Sequence, residues 1–140
     1  MAFPIQQSVI DFHNKFGHPV RDTPQTITEG EAIQAYGFIE EEVDELNSAL
    51  YDQEVRTCGE DFPCCSWDQD HYKPCLVEIA DALGDIVFTA YGMAVRHGID
   101  LDLVLKEICG SNMSKEANGL GKIKKGADYF PPNIARALSM

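Results

Sequence analysis

The sequence predicts an all-α fold, most simply a four-helix bundle with an extended polar C-terminal segment. Three observations predict it. Apolar residues recur at three- and four-residue spacing in four separate segments. Capping and stop signals stand at the ends of those segments. No stretch shows the two-residue alternation of a half-buried strand. At 140 residues the chain has the length of one domain, 1–140, with one core.

Each element follows from local signals. Ile5, Val9, Phe12 and Phe16 repeat at near-helical spacing and Gly17-His18-Pro19 closes the segment, which predicts a first amphipathic helix with residues 18–27 as a loop. Thr28-Glu29-Gly30-Glu31 has the form of a capping box. It opens a second helix whose apolar stripe is Ile33, Tyr36, Ile39, Val43, Leu46 and Leu50, with Glu41, Glu42 and Glu45 beside it. From Asp52 to Lys73 the pattern dissolves into charged and turn residues with Cys58, Cys64, Cys65 and Trp67, which reads as a long connection. Pro74 suits the first turn of a third helix that runs to about Arg96 and stops at His97-Gly98. Asp100 caps a fourth, from Leu101 to about Cys109, with Leu101, Val104, Leu105 and Ile108 inward. After Gly110 the chain is polar and Gly-rich as far as Tyr129. Pro131-Pro132 then precedes a short turn or helix ending at Leu138.

Composition narrows the function. The chain is 44% hydrophobic and 24% charged, which suits an ordered globular protein, but its net charge is −12. Acids crowd between Glu40 and Asp61, whereas Lys115, Lys122, Lys124 and Lys125 crowd near the C-terminus. An acidic chain without a broad basic surface is a poor ligand for nucleic-acid polymers, whose affinity comes from phosphate neutralisation. Neither a signal peptide nor a long uncharged apolar run is visible, so the sequence predicts no membrane partner and a cytoplasmic location. Five cysteines, an odd number, suit a reducing compartment better than a disulfide scaffold. Cys58, Cys64, Cys65, Cys75 and His71 do not match the usual spacing of paired zinc ligands.

The chemistry concentrates in carboxylates. From Cys75 to Val95 the only charged residues are Glu78, Asp81 and Asp85, at i, i+3 and i+7, within roughly 60° on one helical face. Burying an unpaired carboxylate costs several kcal/mol, so these acids either line a wet cleft or hold a cation. Glu42 and Glu45 form a second i, i+3 pair, and two such pairs on facing helices supply the oxygen donors that Mg²⁺ or Mn²⁺ prefers. The bland alternative for Glu41, Glu42, Asp44 and Glu45 is a solvated helix face. Asn112-Met113-Ser114-Lys115 with Lys122 and Lys125 puts amide and ammonium donors in a flexible segment suited to phosphate oxygens. Its bland reading is a polar tail. His13 either lines the pocket or packs at a helix face. No nucleophile elbow, Walker loop or H-E-x-x-H occurs.

Glu41-Glu42-Val43-Asp44-Glu45, followed by Glu78-Ile79-Ala80-Asp81 with Asp85, resembles the EExxE and ExxD signatures of the MazG-like all-α nucleotide pyrophosphohydrolases. Phe12-His13 with Phe16-Gly17, Ser111-Asn112-Met113-Ser114-Lys115, and Lys125-Gly126 with Tyr129 and Pro131-Pro132 look like its short, phage-type members. The resemblance implies hydrolysis of a (deoxy)nucleoside triphosphate to the monophosphate and pyrophosphate with Mg²⁺ or Mn²⁺. It implies Glu42, Glu45, Glu78 and Asp81 as metal ligands and Glu41 and Asp85 as acids that position water or accept its proton. Asn112 and Lys115 would contact sugar or phosphates, and Lys122 and Lys125 would neutralise the polyphosphate. It further implies a homodimer or homotetramer, in the host cytoplasm if phage-encoded. A purine such as dGTP or GTP is the leading substrate, as in MazZ-type relatives. Phosphoribosyl-ATP, dUTP or dCTP hydrolysis, and a non-catalytic helical binding module, are the alternatives.

Overall fold

The computed structural model describes residues 3–51, 74–117, 119 and 121–140. Five helices are formed among the described residues: α1 (Ile5–Phe16), α2 (Glu29–Tyr51), α3 (Leu76–His97), α4 (Leu101–Met113) and α5 (Ile134–Ala137). The all-α class is therefore observed. Cys58, Cys64, Cys65, Trp67 and His71, and with them the long connection, lie outside the described residues. No described helix is long and apolar enough to cross a membrane.

The chain divides into two compact units, residues 27–93, and residues 1–26 with 94–140. In the first, Thr28 and Glu31 make the reciprocal capping-box contacts that open α2. Glu31 N donates to Thr28 Oγ1 at 3.3 Å and Thr28 N donates to Glu31 Oε2 at 3.4 Å. The inward face of α2 differs from the predicted stripe. Ala35 and Ala49 are buried and Ile39, Glu42 and Leu46 half-buried, while Ile33, Tyr36 and Val43 are exposed. Spacing 35, 39, 42, 46, 49 is itself a helical seam that shares Ile39 and Leu46 with the predicted stripe; with Leu50 also half-buried, half of that stripe faces inward and the seam is completed by two alanines and a glutamate. On α3 the matching seam is Glu78, Ala82, Asp85 and Thr89, with Asp81 on its exposed edge. Cys75 is buried and disulfide-bonded, whereas Cys109 is a free, exposed thiol.

In the second unit, α1 ends at Gly17 in the left-handed conformation, as predicted (φ 72°). Its inward residues are Val9 and His13, while Phe12 and Phe16 are exposed and pack ring to ring, with centroids 4.7 Å apart. Gln6 ties α1 to the turn before α4 by donating to the Ile99 carbonyl at 3.1 Å. The 18–25 segment runs along the end of α3, with backbone N–H groups of Arg21 and Gln25 donating to Val95 and His97 at 3.1 and 2.9 Å. Asp100 caps α4 by accepting from Leu103 N at 3.2 Å. Helix α4 extends to Met113, four residues past the predicted end at Cys109, because Gly110 and Ser111 continue the turn. Leu105 is exposed rather than inward. Beyond it a two-residue antiparallel ladder, β1 (Glu116–Ala117) with β2 (Ile123–Lys124), stands where the sequence predicts no strand. Such a short ladder has too few residues to show an alternating pattern.

Gly98 marks the tightest backbone approach. Its φ is 69°, and a Cβ there would collide with the Thr23 backbone, whereas Gly17 has open space around it. Gly98→Ala should cost more than about 2 kcal/mol and Gly17→Ala about 1 kcal/mol, read as urea-denaturation midpoints. Equal losses would show that the Thr23 contact is not a constraint.

Candidate functional site

The acidic cluster belongs to one unit and is built from two helices. Glu42 lies on the inward seam of α2 because its spacing from Ala35, Ile39, Leu46 and Ala49 is that of the buried face. Although the residue as a whole is half-buried, its Oε2 is sealed from solvent and has no hydrogen-bond partner among the described residues. A carboxylate oxygen in that position loses its hydration without replacement. Burial therefore pushes the Glu42 carboxyl above its ordinary range, and Glu45, Asp85, Glu41 and Asp81 push it further in the same direction by repulsion.

Glu41, Glu45, Asp81 and Asp85 each raise the Glu42 pKa by repulsion, so acids of both α2 and α3 lie within electrostatic range of it. Asp85 acts on Glu42 more strongly than Asp81 does, and Glu78, predicted as a metal ligand, is absent from this group and has an interaction of its own. Among the described residues, no three His, Cys, Asp or Glu side chains are gathered closely enough to form a finished metal cage. The donors are all oxygen, the type suited to a hard divalent cation, and the orphaned Oε2 is the atom such an ion would satisfy.

The basic residues form a separate constellation at the end of α4. Asn112, Lys115, Ile123, Lys124 and Lys125 line a cavity of about 440 Å³. Asn112 sits in the last turn of α4 rather than in a flexible segment, and its Oδ1 accepts from Lys115 Nζ at 2.8 Å. Lys125 Nζ lies 4.9 Å from the centre of the Tyr129 ring. A hydrogen bond from buried Ser111 pulls the Tyr129 phenol below its ordinary value near 10.0, with Lys125 and Lys115 adding to the effect. The segment after the ladder is fastened to α4. Phe130 N donates to Ser114 Oγ at 3.1 Å, and Glu107, its carboxyl held low by Arg136, accepts from Asn133 N at 3.1 Å.

Two predicted contacts stand elsewhere. Lys122 is exposed and does not line this cavity. His13 is buried, its Nδ1–H donating to the Pro19 carbonyl at 2.9 Å, so its role here is packing. Burial lowers its pKa despite that bond, with His18 and Arg96 lowering it further. Arg96, also buried, donates from Nη2 to His18 Nδ1 at 2.9 Å. Lys124 and Tyr129 had no assigned role in the sequence. Lys124 stands within a lysine run, but only the ladder register, which sets it opposite Glu116, distinguishes it.

A model of the phosphoribosyl-ATP pyrophosphohydrolase family matches residues 9–112. The chain belongs to that family. Its general activity is therefore nucleotide pyrophosphohydrolysis. The family match takes in Glu41, Glu42, Glu45, Glu78, Asp81, Asp85 and Asn112, and ends before Lys115 and the ladder. No curated protein sequence matches the chain.

The raised pKa of Glu42 has a signed consequence. Folded protein holds this proton more tightly than unfolded protein, whose carboxyl titrates near 4.5, so the associated stability is present below that value and is lost as pH rises through the folded pKa. Without added metal, Glu42→Gln should raise the denaturation midpoint at about pH 7.5, with the gain shrinking toward about pH 4.5. A lower midpoint for the variant at neutral pH would contradict the burial described.

Proposed function

We propose that the chain hydrolyses a (deoxy)nucleoside triphosphate to the monophosphate and pyrophosphate with Mg²⁺ or Mn²⁺, and that dGTP or GTP is the preferred substrate. The observation that supports this most is the sealed Oε2 of Glu42, partnerless among the described residues, with four further acids within electrostatic range. Such a group is costly in the folded protein, and a divalent cation is the simplest ligand that relieves it. When bound, that ion supplies positive charge to phosphate oxygens and acidifies water.

In this reading Glu42 and Glu45 hold the ion from α2, with Asp81 and Glu78 from α3. Asp85, half-buried on the α3 seam, is the acid that takes the water proton. Glu41, exposed beside them, orients water. In the basic cavity, Asn112, Lys115 and Lys125 donate to phosphate or sugar oxygens, and Lys122 adds charge from outside it.

A second reading is favoured by one observation. The family matched over residues 9–112 takes its description from phosphoribosyl-ATP, which carries the same triphosphate linkage to be cut. Both substrates would release pyrophosphate, so the product alone does not separate them.

Incubation with each canonical dNTP and NTP, and with phosphoribosyl-ATP, should give pyrophosphate and a nucleoside monophosphate fastest from dGTP or GTP. A preference for phosphoribosyl-ATP of more than about tenfold in kcat/KM would replace the first reading by the second. Glu42→Gln and Asp81→Asn should each lower kcat/KM at least about a hundredfold while keeping helicity. Full activity in either variant would remove these residues from the site.

A further inference from the structure

One lysine of the basic cavity is already paired with an anion beside it. Of its three lysines, Lys115 is bound to a neutral amide, the Oδ1 of Asn112, and Lys125 stands against the Tyr129 ring. Both keep their charge available. Lys124 differs, because its Nζ lies 3.5 Å from the Glu116 carboxylate. Two features bring that carboxylate to Lys124. The ladder register sets Glu116 opposite Lys124. Gly126 leaves room for the Glu116 side chain, since a Cβ at residue 126 would overlap its carboxyl end unless that flexible side chain moved.

We propose that Glu116 is an intramolecular counter-anion at the edge of the cavity, which pairs with Lys124 in the free protein and yields it when the phosphate chain of a nucleotide or of pyrophosphate enters. This rests on the reading that the cavity grips phosphate oxygens. Three ammonium groups around about 440 Å³ form a strong trap for a compact polyanion such as pyrophosphate, the product that has to leave. A competing carboxylate weakens that trap and favours turnover where product release limits the rate. The pair is half-exposed, at 57% and 53%, so it tunes affinity and does not block entry.

Calorimetric titration with inorganic pyrophosphate in the absence of metal tests the exchange. Glu116→Gln should bind pyrophosphate about two- to fivefold more tightly than the native chain, and adding Lys124→Met should abolish that gain. Equal or weaker binding by Glu116→Gln overturns the proposal. So does a gain that persists in the double variant, since the carboxylate would then not act through Lys124. Lys115→Met and Lys125→Met separate this failure from failure of the cavity reading. If they weaken binding while Glu116→Gln has no effect, the cavity stands and only the counter-anion falls. If neither native nor variant protein binds pyrophosphate, both fall.

Discussion

The decisive constraint is the burial of one carboxylate oxygen, that of Glu42, on the inward face of α2 within range of further acids. Glu42 occupies a position that helical periodicity assigns to the buried seam, between Ile39 and Leu46. Leucine there would stabilise the pair of helices by about 1.5–3 kcal/mol through apolar burial alone. The glutamate instead contributes an unsatisfied oxygen and feels four like charges. A fold that accepts such a group is locally frustrated, and frustration of this type is more common at binding and catalytic sites than elsewhere.

The basic end of the chain is organised by different means. Few of its residues are buried, and its order comes from side chains that tie an irregular segment to a helix. Ser114 links Ser111 to Phe130, and Glu107 links α4 to Asn133 and Arg136. These contacts place Tyr129 against Lys125 and leave the lysines facing a common cavity. Exposed ion pairs each contribute little to stability, so the segment depends on several acting together. The acidic cluster is thus set by helix packing, and the basic cavity by hydrogen bonding.

The candidate site was unevenly legible. Glu78, Asp81 and Asp85 stand out in a sequence because their neighbours are apolar, and the i, i+3, i+7 spacing identifies their shared side of the helix. Which of them acts most strongly on Glu42 depends on the rotation of α3 against α2, and spacing within one helix carries no information about that rotation. Glu42 was visible as an acid but not as a buried one, since Val43 and Tyr36 offered an equally regular apolar stripe. For His13 the sequence allowed a packing role and a pocket role, and the Pro19 carbonyl selects packing.

By itself, the sequence determined the helical class, the caps at Thr28 and Asp100, the stop at Gly17 and the carboxylate spacing. Each depends on a few consecutive residues and on local hydrogen bonding. Only the tertiary structure decided which face of α2 turned inward, that Glu42 lost solvent on one oxygen, and that Lys124 met Glu116 across a ladder. Those outcomes depend on contacts between segments distant in sequence. Periodicity cannot encode them, because it states which residues share a face and not what that face meets.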